Sequence, residues 1–117
     1  MKDVREILNE LNEGNMELAK QRPEVLSAFS AFMKANGADS ALNAKTKELI
    51  SVAIAVFSRC EYCIVYHVYR AYAEGAAKEE IIDAALVAMG FGAGPAMAYT
   101  STLLMNSVNE FEKDFKK

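Results

Sequence analysis

The sequence predicts an all-α fold, a single-domain helical bundle of five to six helices. Apolar residues recur at the three- and four-residue spacing of helices, and no segment shows the alternation typical of strands. Only two prolines and six glycines interrupt the 117 residues. No linker, repeat or change of composition divides the chain, so we expect residues 1–117 to form one domain.

The first two helices are predicted from the residues that begin and end them. Asp3 suits the N-cap of a first helix, although Gly14 and Asn15 weaken its second half. Pro23 suits the first turn of a second helix, because a backbone N–H at that position would have no acceptor within the helix. Asn36-Gly37 is a typical C-terminal signal, so we expect this helix to end there.

Four further helices follow the same logic. We expect a third helix from Asn43 to about Phe57, a fourth from about Arg59 to Glu74 closed by Gly75, a fifth from about Lys78 to Met89, and a sixth from Pro95 to about Phe111. The glycine-rich segment 90–94 between the last two is predicted to be a tight connection that allows close backbone approach.

Some of these helices are more apolar than one small domain can bury. Residues 49–57 are apolar nearly all round, residues 64–73 leave little polar face, and the last helix adds Leu103, Leu104, Met105, Val108 and Phe111. A helix that is apolar on every side must be buried on every side. We therefore expect a homo-oligomer; the alternative is a monomer whose first helix covers this surface.

Charge and hydropathy indicate the compartment and the classes of partner. Thirteen basic against sixteen acidic residues give a net charge of −3, which disfavours nucleic-acid binding. The charged N-terminus shows no signal peptide, and the longest strongly apolar stretch, residues 49–57, is far below the ~20 residues that span a membrane. Two cysteines are too few for a disulfide-stapled secreted scaffold. We expect a soluble cytoplasmic protein with no membrane partner.

One cluster of chemically active residues stands out near the start of the fourth helix. Ser58 followed by Glu61 is typical of a capping box, which places Ser58 at the N-cap, Cys60 at the second helical residue and Cys63 at the fifth. At about 100° per residue, Cys60, Cys63 and His67 then lie within roughly a 60° sector. Both cysteines and the only histidine of the chain share one helix face.

This placement favours thiol chemistry without a cofactor. The free N–H groups of a first helical turn stabilise a thiolate, and His67 lies one turn after Cys63 and can accept its proton. The helix end favours Cys60 as the more reactive thiol, whereas the histidine favours Cys63. Two thiols at this spacing can also close into a disulfide, which gives a two-electron thiol–disulfide cycle.

Two other interpretations of the cluster remain open. Paired cysteines on an apolar helix often serve as small hydrophobic filling, and a lone histidine beside tyrosines is often a hydrogen-bonded core residue. Cys60, Cys63 and His67 with one carboxylate are also a possible zinc ligand set. Three ligands on one continuous helix strain a tetrahedral site, so we expect no metal.

A fourth residue extends the cluster into a family pattern. Glu48 lies twelve positions before Cys60, and with Cys63 and His67 it resembles the signature of the alkylhydroperoxidase D-like group of the carboxymuconolactone decarboxylase superfamily. The segment 43–50 that leads into the apolar third helix is similar to the same group.

The flanking sequence shares the resemblance. Gly75 and the helix after it, with Ile81-Ile82-Asp83-Ala84-Ala85, are similar to the family, and the likeness covers about residues 23–106. Two features depart from the peroxidase branch. Tyr62 stands where that branch has a further histidine, and the larger members' extra N-terminal helical region is missing.

The resemblance implies an all-α protein that assembles as trimers or hexamers. It further implies a thiol peroxidase or disulfide reductase in antioxidant defence, acting on a hydroperoxide or disulfide and reduced by a lipoyl-type or thioredoxin-like dithiol. Carried over, Cys63 is the peroxidatic thiol, Cys60 the resolving thiol, His67 the base and Glu48 the distal member of a proton relay. The alternative function is a non-catalytic oligomeric module that senses redox state or binds a partner. A decarboxylase is less favoured, because those enzymes do not use the cysteine pair.

Overall fold

Six α-helices and one π-helical segment make up residues 2–116, which the computed structural model describes. They are α1 Val4–Gln21, α2 Pro23–Gly37, α3 Ala44–Ser58, α4 Glu61–Ala73, α5 Lys78–Tyr99 and α6 Met105–Phe115, with the π-helical segment Thr100–Leu104 joining α5 to α6. No strand occurs within these described residues. The predicted all-α class is therefore confirmed.

The predicted helix starts are present in three of the helices. The Asp3 carboxylate accepts hydrogen bonds from the Arg5 and Glu6 N–H groups at the start of α1. Asn43 accepts from the Thr46 N–H at the start of α3, and Pro23 opens α2. α1 continues through Gly14 without interruption, because one glycine costs a helix only about 1 kcal/mol.

The core lies between α3, α4, α5 and α6. Its largest fully buried side chains come from three of these helices and the π-helical segment: Phe111, Ile64, Ile81 and Leu104. The Tyr72 hydroxyl donates to the Val108 carbonyl at 3.0 Å and joins α4 to α6 inside this core. The prediction that the last helix offers an intersubunit surface is wrong: its own chain buries Leu103, Leu104, Val108 and Phe111.

The N-terminal helices project from this core as a hairpin. α1 is held by buried Val4 and Ile7 and by Arg5, which pairs with Glu110 and Asp114 of α6. Beyond these contacts, residues 12–37 form what we call the arm, the outer half of α1 together with all of α2. α2 has no buried residue. Packing against the single chain therefore does not account for its position.

The glycine-rich segment contains the predicted break, but as a sharp kink at which two helices meet without a loop between them. Within Lys78–Tyr99, Ala93 leaves helical geometry, with φ 48° and ψ −128°. The expected close approach does occur at Gly92, where an added Cβ would lie 2.9 Å from the Ala96 Cβ and 3.4 Å from the Phe57 ring. Glycine at this position lets α5 pack closely against α3.

A second apolar surface lies on the outside of α3 and α5. Ile50, Ile54 and Phe57 of α3 are exposed beside Leu86, Val87 and Phe91 of α5, and we call these six residues the α3–α5 face. Part of it forms a shallow cavity of about 280 Å³. The alternative in which α1 covers the apolar surface is not what the structure shows, because these side chains are between 44% and 81% exposed.

One stretch within the described residues, Lys78–Phe115, has the length and apolar composition of a membrane-crossing helix. Core helices of water-soluble proteins meet the same criterion, so this property by itself is weak evidence for a membrane. Sequence inspection missed the stretch because the predicted glycine break divided it.

Candidate redox site

The cysteine pair lies at the beginning of α4, in a register different from the predicted one. Cys60 is the N-cap, and its Sγ accepts a hydrogen bond from the Cys63 N–H at 3.2 Å. The predicted Ser58 cap is wrong, because Ser58 is the last residue of α3 and its hydroxyl donates to the Ala55 carbonyl. Arg59 is the C-cap of α3, and its left-handed backbone (φ 57°) turns the chain so that the Cys60 sulfur takes the N-cap position of α4. The predicted second and fifth helical positions of Cys60 and Cys63 become the N-cap and the third residue.

This register brings both sulfur atoms close to the free end of the helix. Cys60 and Cys63 form a disulfide with their Cα atoms 5.2 Å apart, and both residues are partly exposed. The first-turn N–H groups of α4 have no intrahelical acceptors and carry partial positive charge. A thiolate on either cysteine of the reduced pair is stabilised there more effectively than one turn further in.

Glu48 and His67 form a hydrogen-bonded pair between α3 and α4. The His67 Nδ1 lies 2.8 Å from the Glu48 Oε1, and the two side chains are 17% and 15% exposed. A carboxylate at this depth is costly unless it is paired, and the imidazole supplies the partner. The resemblance placed these two residues in one relay, and the structure brings them into contact.

Tyr66 restricts the imidazole from a second direction. Its ring meets the His67 ring edge-on, with 5.0 Å between the ring centroids. Together with the Glu48 hydrogen bond, this contact defines the plane of the imidazole. With Nδ1 engaged by the carboxylate, Nε2 is the ring nitrogen that remains available for proton exchange.

A large groove opens between the arm and the α3–α4 side of the core. It has a volume of about 1410 Å³, and Glu48, Cys63 and His67 all contribute to its lining. The structure thus brings three of the four predicted site residues to one surface. The fourth, Cys60, does not line the groove and is bonded to Cys63.

The sequence-based prediction of the site does not include Arg70 or Glu74, and it treats Tyr62 only as a departure from the peroxidase branch, yet all three line the groove. Arg70 and Glu74 pair across one turn of α4 at 2.9 Å, and Tyr62 lies nearly half exposed between the cysteines. Arg70 follows Cys63 by seven residues and Glu74 follows His67 by seven, so helical spacing was a usable signal for both. The arm residues carried no such signal, because only tertiary packing brings them to this site.

The described residues, 2–116, contain no group of three or more His, Cys, Asp or Glu side chains placed to hold a metal ion. Cys60 and Cys63, the thiols of the zinc alternative, are bonded to each other.

Comparison with known proteins places this architecture in a family. The carboxymuconolactone decarboxylase family matches residues 23–104. A carboxymuconolactone decarboxylase family protein from Legionella pneumophila, solved in its apo form, is 31% identical, with a TM-score of 0.84 over 97% of each chain. One from Thermotoga maritima, whose description connects it with an antioxidative response, is 27% identical, with a TM-score of 0.73 over 96% of this chain and 97% of that one.

Two sequence relatives match most of this chain. An uncharacterized protein from Cupriavidus necator is 34% identical over 102 residues, which are 87% of this chain and 90% of the relative. The uncharacterized protein 4 of the cox locus of Paracoccus denitrificans is 40% identical over 88 residues, 75% of this chain and 79% of the relative. The chain therefore belongs to the carboxymuconolactone decarboxylase family, and its cysteine pair agrees with an alkylhydroperoxidase D-like member.

Proposed function

We propose that this protein is a cytoplasmic thiol oxidoreductase that reduces hydroperoxides through Cys63 and Cys60. One observation carries the proposal: Cys63, bonded to Cys60, lines the same groove as the hydrogen-bonded Glu48–His67 pair. A thiol that can form a disulfide, a base and a carboxylate that orients the base are the groups that thiol-based peroxide reduction requires.

The first step uses Cys63 as the nucleophile. Its thiolate attacks one peroxide oxygen, so an S–O bond forms as the O–O bond breaks, and the alkoxide leaves with a proton from His67 Nε2. The products are an alcohol and a sulfenic acid on Cys63. Two observations support this order of the thiols: Cys63 lines the groove and Cys60 does not, and His67 follows Cys63 by one helical turn.

The second step closes the disulfide present in the structure. The Cys60 thiol attacks the Cys63 sulfenic sulfur, the S–S bond forms and water leaves. The two thiols thereby supply the two electrons that reduce the peroxide. An external dithiol returns the pair to the reduced state, and a lipoyl-type or thioredoxin-like donor is the class we propose. A disulfide substrate is reduced by the same pair through exchange.

The test is peroxide consumption by the reduced protein in a stopped-flow instrument, with dihydrolipoamide or dithiothreitol as reductant. We expect Cys63→Ser to abolish turnover. Cys60→Ser should keep a single burst of one equivalent and leave a sulfenic acid that dimedone traps. Serine is a good N-cap, so the latter variant preserves the start of α4. A turnover rate unchanged by Cys63→Ser would remove the mechanism.

A second candidate function is a redox sensor without turnover, whose disulfide alters assembly. Glu61, between the two cysteines, accepts a hydrogen bond from Lys2. Opening or closing the disulfide therefore changes the chain next to a contact with the N-terminal segment. Gel filtration of the oxidised and reduced forms separates the candidates. A change of oligomer without peroxide consumption would favour the sensor.

We also propose that the protein is a homo-oligomer, a trimer or hexamer. Two separate apolar surfaces support this, the arm and the α3–α5 face, and both are exposed in the single chain. Two different self-contacts are what a hexamer of dihedral symmetry uses, whereas a simple dimer needs one.

A further inference from the structure

The helix α2 has an apolar stripe that stays largely exposed in the single chain. Val25, Leu26, Phe29, Phe32 and Met33 recur at helical spacing, yet no residue of α2 is buried. A helix this apolar is stabilised mainly by packing of such a stripe, because isolated helices of this length are marginal in water. The single chain therefore leaves the arm without its main source of stability.

The exposed apolar area of the arm is large enough for a specific interface. Six large side chains are between 39% and 67% exposed: Met16, Leu18, Val25, Phe29, Phe32 and Met33. At roughly 150–200 Å² per side chain, they offer on the order of 500 Å² of apolar surface per chain. Two such surfaces in contact remove on the order of 1,000 Å² from water, which is about the minimum area of a biological interface before any polar rim is counted.

The size of the groove favours a protein segment over a small molecule as its occupant. Its volume of about 1410 Å³ exceeds the roughly 300–1,000 Å³ of pockets that enclose small ligands. A helix is about 10 Å across with its side chains, so a helix fits a groove of this size. The arm can supply such a helix, because α2 carries an apolar stripe that the single chain leaves largely uncovered.

The charges of the arm permit contact between two copies. Residues 12–37 hold three cations, Lys20, Arg22 and Lys34, and three carboxylates, Glu13, Glu17 and Glu24. Their sum is zero, so like-charge repulsion does not oppose the approach of two arms.

We infer that a second copy of this chain covers the groove with its own arm, so that the redox site is complete only when two chains meet. Contact through a twofold axis lets each arm cover the other chain's groove. The covering arm excludes water from Cys63, Glu48 and His67, which strengthens the electrostatic interactions among them. This effect on catalysis rests on the proposed function, whereas the covering itself does not.

The experiment measures access to Cys63 in a Cys60→Ser background, where Cys63 is the one remaining thiol. Labelling rates are compared for iodoacetamide and for a maleimide carrying a 5 kDa polyethylene glycol, and mass is followed by sedimentation velocity. We expect the parent protein to be an oligomer that reacts slowly with the bulky probe. Phe29→Glu should yield smaller species, in which the bulky-probe rate relative to iodoacetamide rises at least tenfold.

Phe91→Glu is the matched control, since it places the same charge on an exposed aromatic of the α3–α5 face. It should leave the groove protected. If Phe29→Glu loses helicity by circular dichroism, Phe29→Ala and dilution of the parent protein provide the same comparison. A parent protein that stays monomeric at high concentration, or one that carries a bound lipid in native mass spectrometry, overturns the inference. So does bulky-probe protection that Phe29→Glu leaves intact.

Peroxide turnover is measured separately on variants that retain both cysteines. Protection of Cys63 without any turnover contradicts the proposed function and leaves the shared groove standing. Full turnover in monomeric Phe29→Glu contradicts the shared site and leaves the proposed function standing.

Discussion

At the scale of single residues, the site depends on where two sulfur atoms meet a helix end. The residue types and spacing of Cys60, Cys63 and His67 predicted the cluster, whereas the contact of Glu48 with His67 rested on family resemblance. The capping prediction failed because it ranked Ser58 as the better cap by residue type. A cysteine cap depends on α3 continuing to Ser58 and on the left-handed Arg59, which follow from packing and not from local pattern.

Removal of the Glu48 charge tests the role of the buried pair. Glu48→Gln retains a hydrogen-bonding side chain but removes the carboxylate charge that faces the His67 ring. We expect the second-order rate constant for hydroperoxide reduction near neutral pH to fall roughly tenfold to a hundredfold. The measurement is the stopped-flow burst of reduced protein.

Glu61→Gln is the control for that experiment, because Glu61 carries the same charge beside the cysteines but contacts Lys2 instead of His67. An equal loss of rate in both variants would show that the rate depends on any negative charge near the two cysteines, and not on the pairing of Glu48 with His67.

At the scale of elements, the kink of α5 shows how far glycine and proline residues in a sequence predict where a helix is interrupted. Gly90, Gly92, Gly94 and Pro95 predicted a break at the right place, although the structure joins the two helices at a single residue instead of through a loop. That residue is Ala93 and not a glycine. Which position of a glycine-rich segment takes the positive φ depends on contacts between α3 and α5.

Ala93→Gly tests the strain at this kink. With φ 48° and ψ −128°, Ala93 has a backbone conformation that glycine adopts without steric penalty. We expect the free energy of unfolding to rise by about 1 kcal/mol, measured by urea denaturation. Ala98→Gly, at an exposed position of the same helix before the π-helical segment, should lower it by about 1 kcal/mol. A loss of stability in both variants would contradict the strain.

The ion pairs that hold α1 against α6 predict a dependence on acidity. Arg5 bonds Asp114 through two nitrogens, which lowers the pKa of the Asp114 carboxyl below its ordinary value. The pKa of the Glu110 carboxyl is lowered first by the hydrogen bond from Lys113 and then by the one from Arg5. The stabilisation is therefore present above the unfolded pKa values near 4 and is lost as pH falls through the lowered folded values.

Arg5→Ala should therefore lower the melting temperature at pH 7, and the difference from the parent protein should shrink below about pH 4. Thermal melts followed by circular dichroism at both pH values make the comparison. Arg22→Ala removes a cation that donates to the neighbouring Gln21 carbonyl, and this variant should show no such pH dependence. A constant Arg5→Ala difference down to pH 2 would contradict the ion-pair account.

At the scale of the whole molecule, excess apolar sequence predicted self-association but not the surfaces that take part. The apolar side chains that α4 and the last helix direct at each other are buried within one chain, among them Ile64, Val68 and Phe111. The surfaces left exposed are the arm and the α3–α5 face. Periodicity identifies an apolar stripe but not its partner, so the arm was not foreseen.

Thermal stability should depend on protein concentration if these surfaces join copies of the chain. Association that favours the folded state raises the melting temperature by mass action. We expect an increase of several degrees over a hundredfold increase in concentration, measured by scanning fluorimetry on the reduced and the oxidised protein. A melting temperature that stays constant over this range would contradict self-association.

The most direct test of the redox site is the pH dependence of Cys63 alkylation in the fully reduced protein. Iodoacetamide labelling is followed by peptide mass spectrometry between pH 4 and 10. The helix end stabilises a thiolate on either cysteine, and only the Glu48–His67 pair distinguishes Cys63, so we expect the labelling rate of Cys63 to rise below the ordinary thiol value of about 8.5 and at lower pH than that of Cys60. Labelling of both thiols with one inflection near 8.5 would contradict the proposed activation of Cys63.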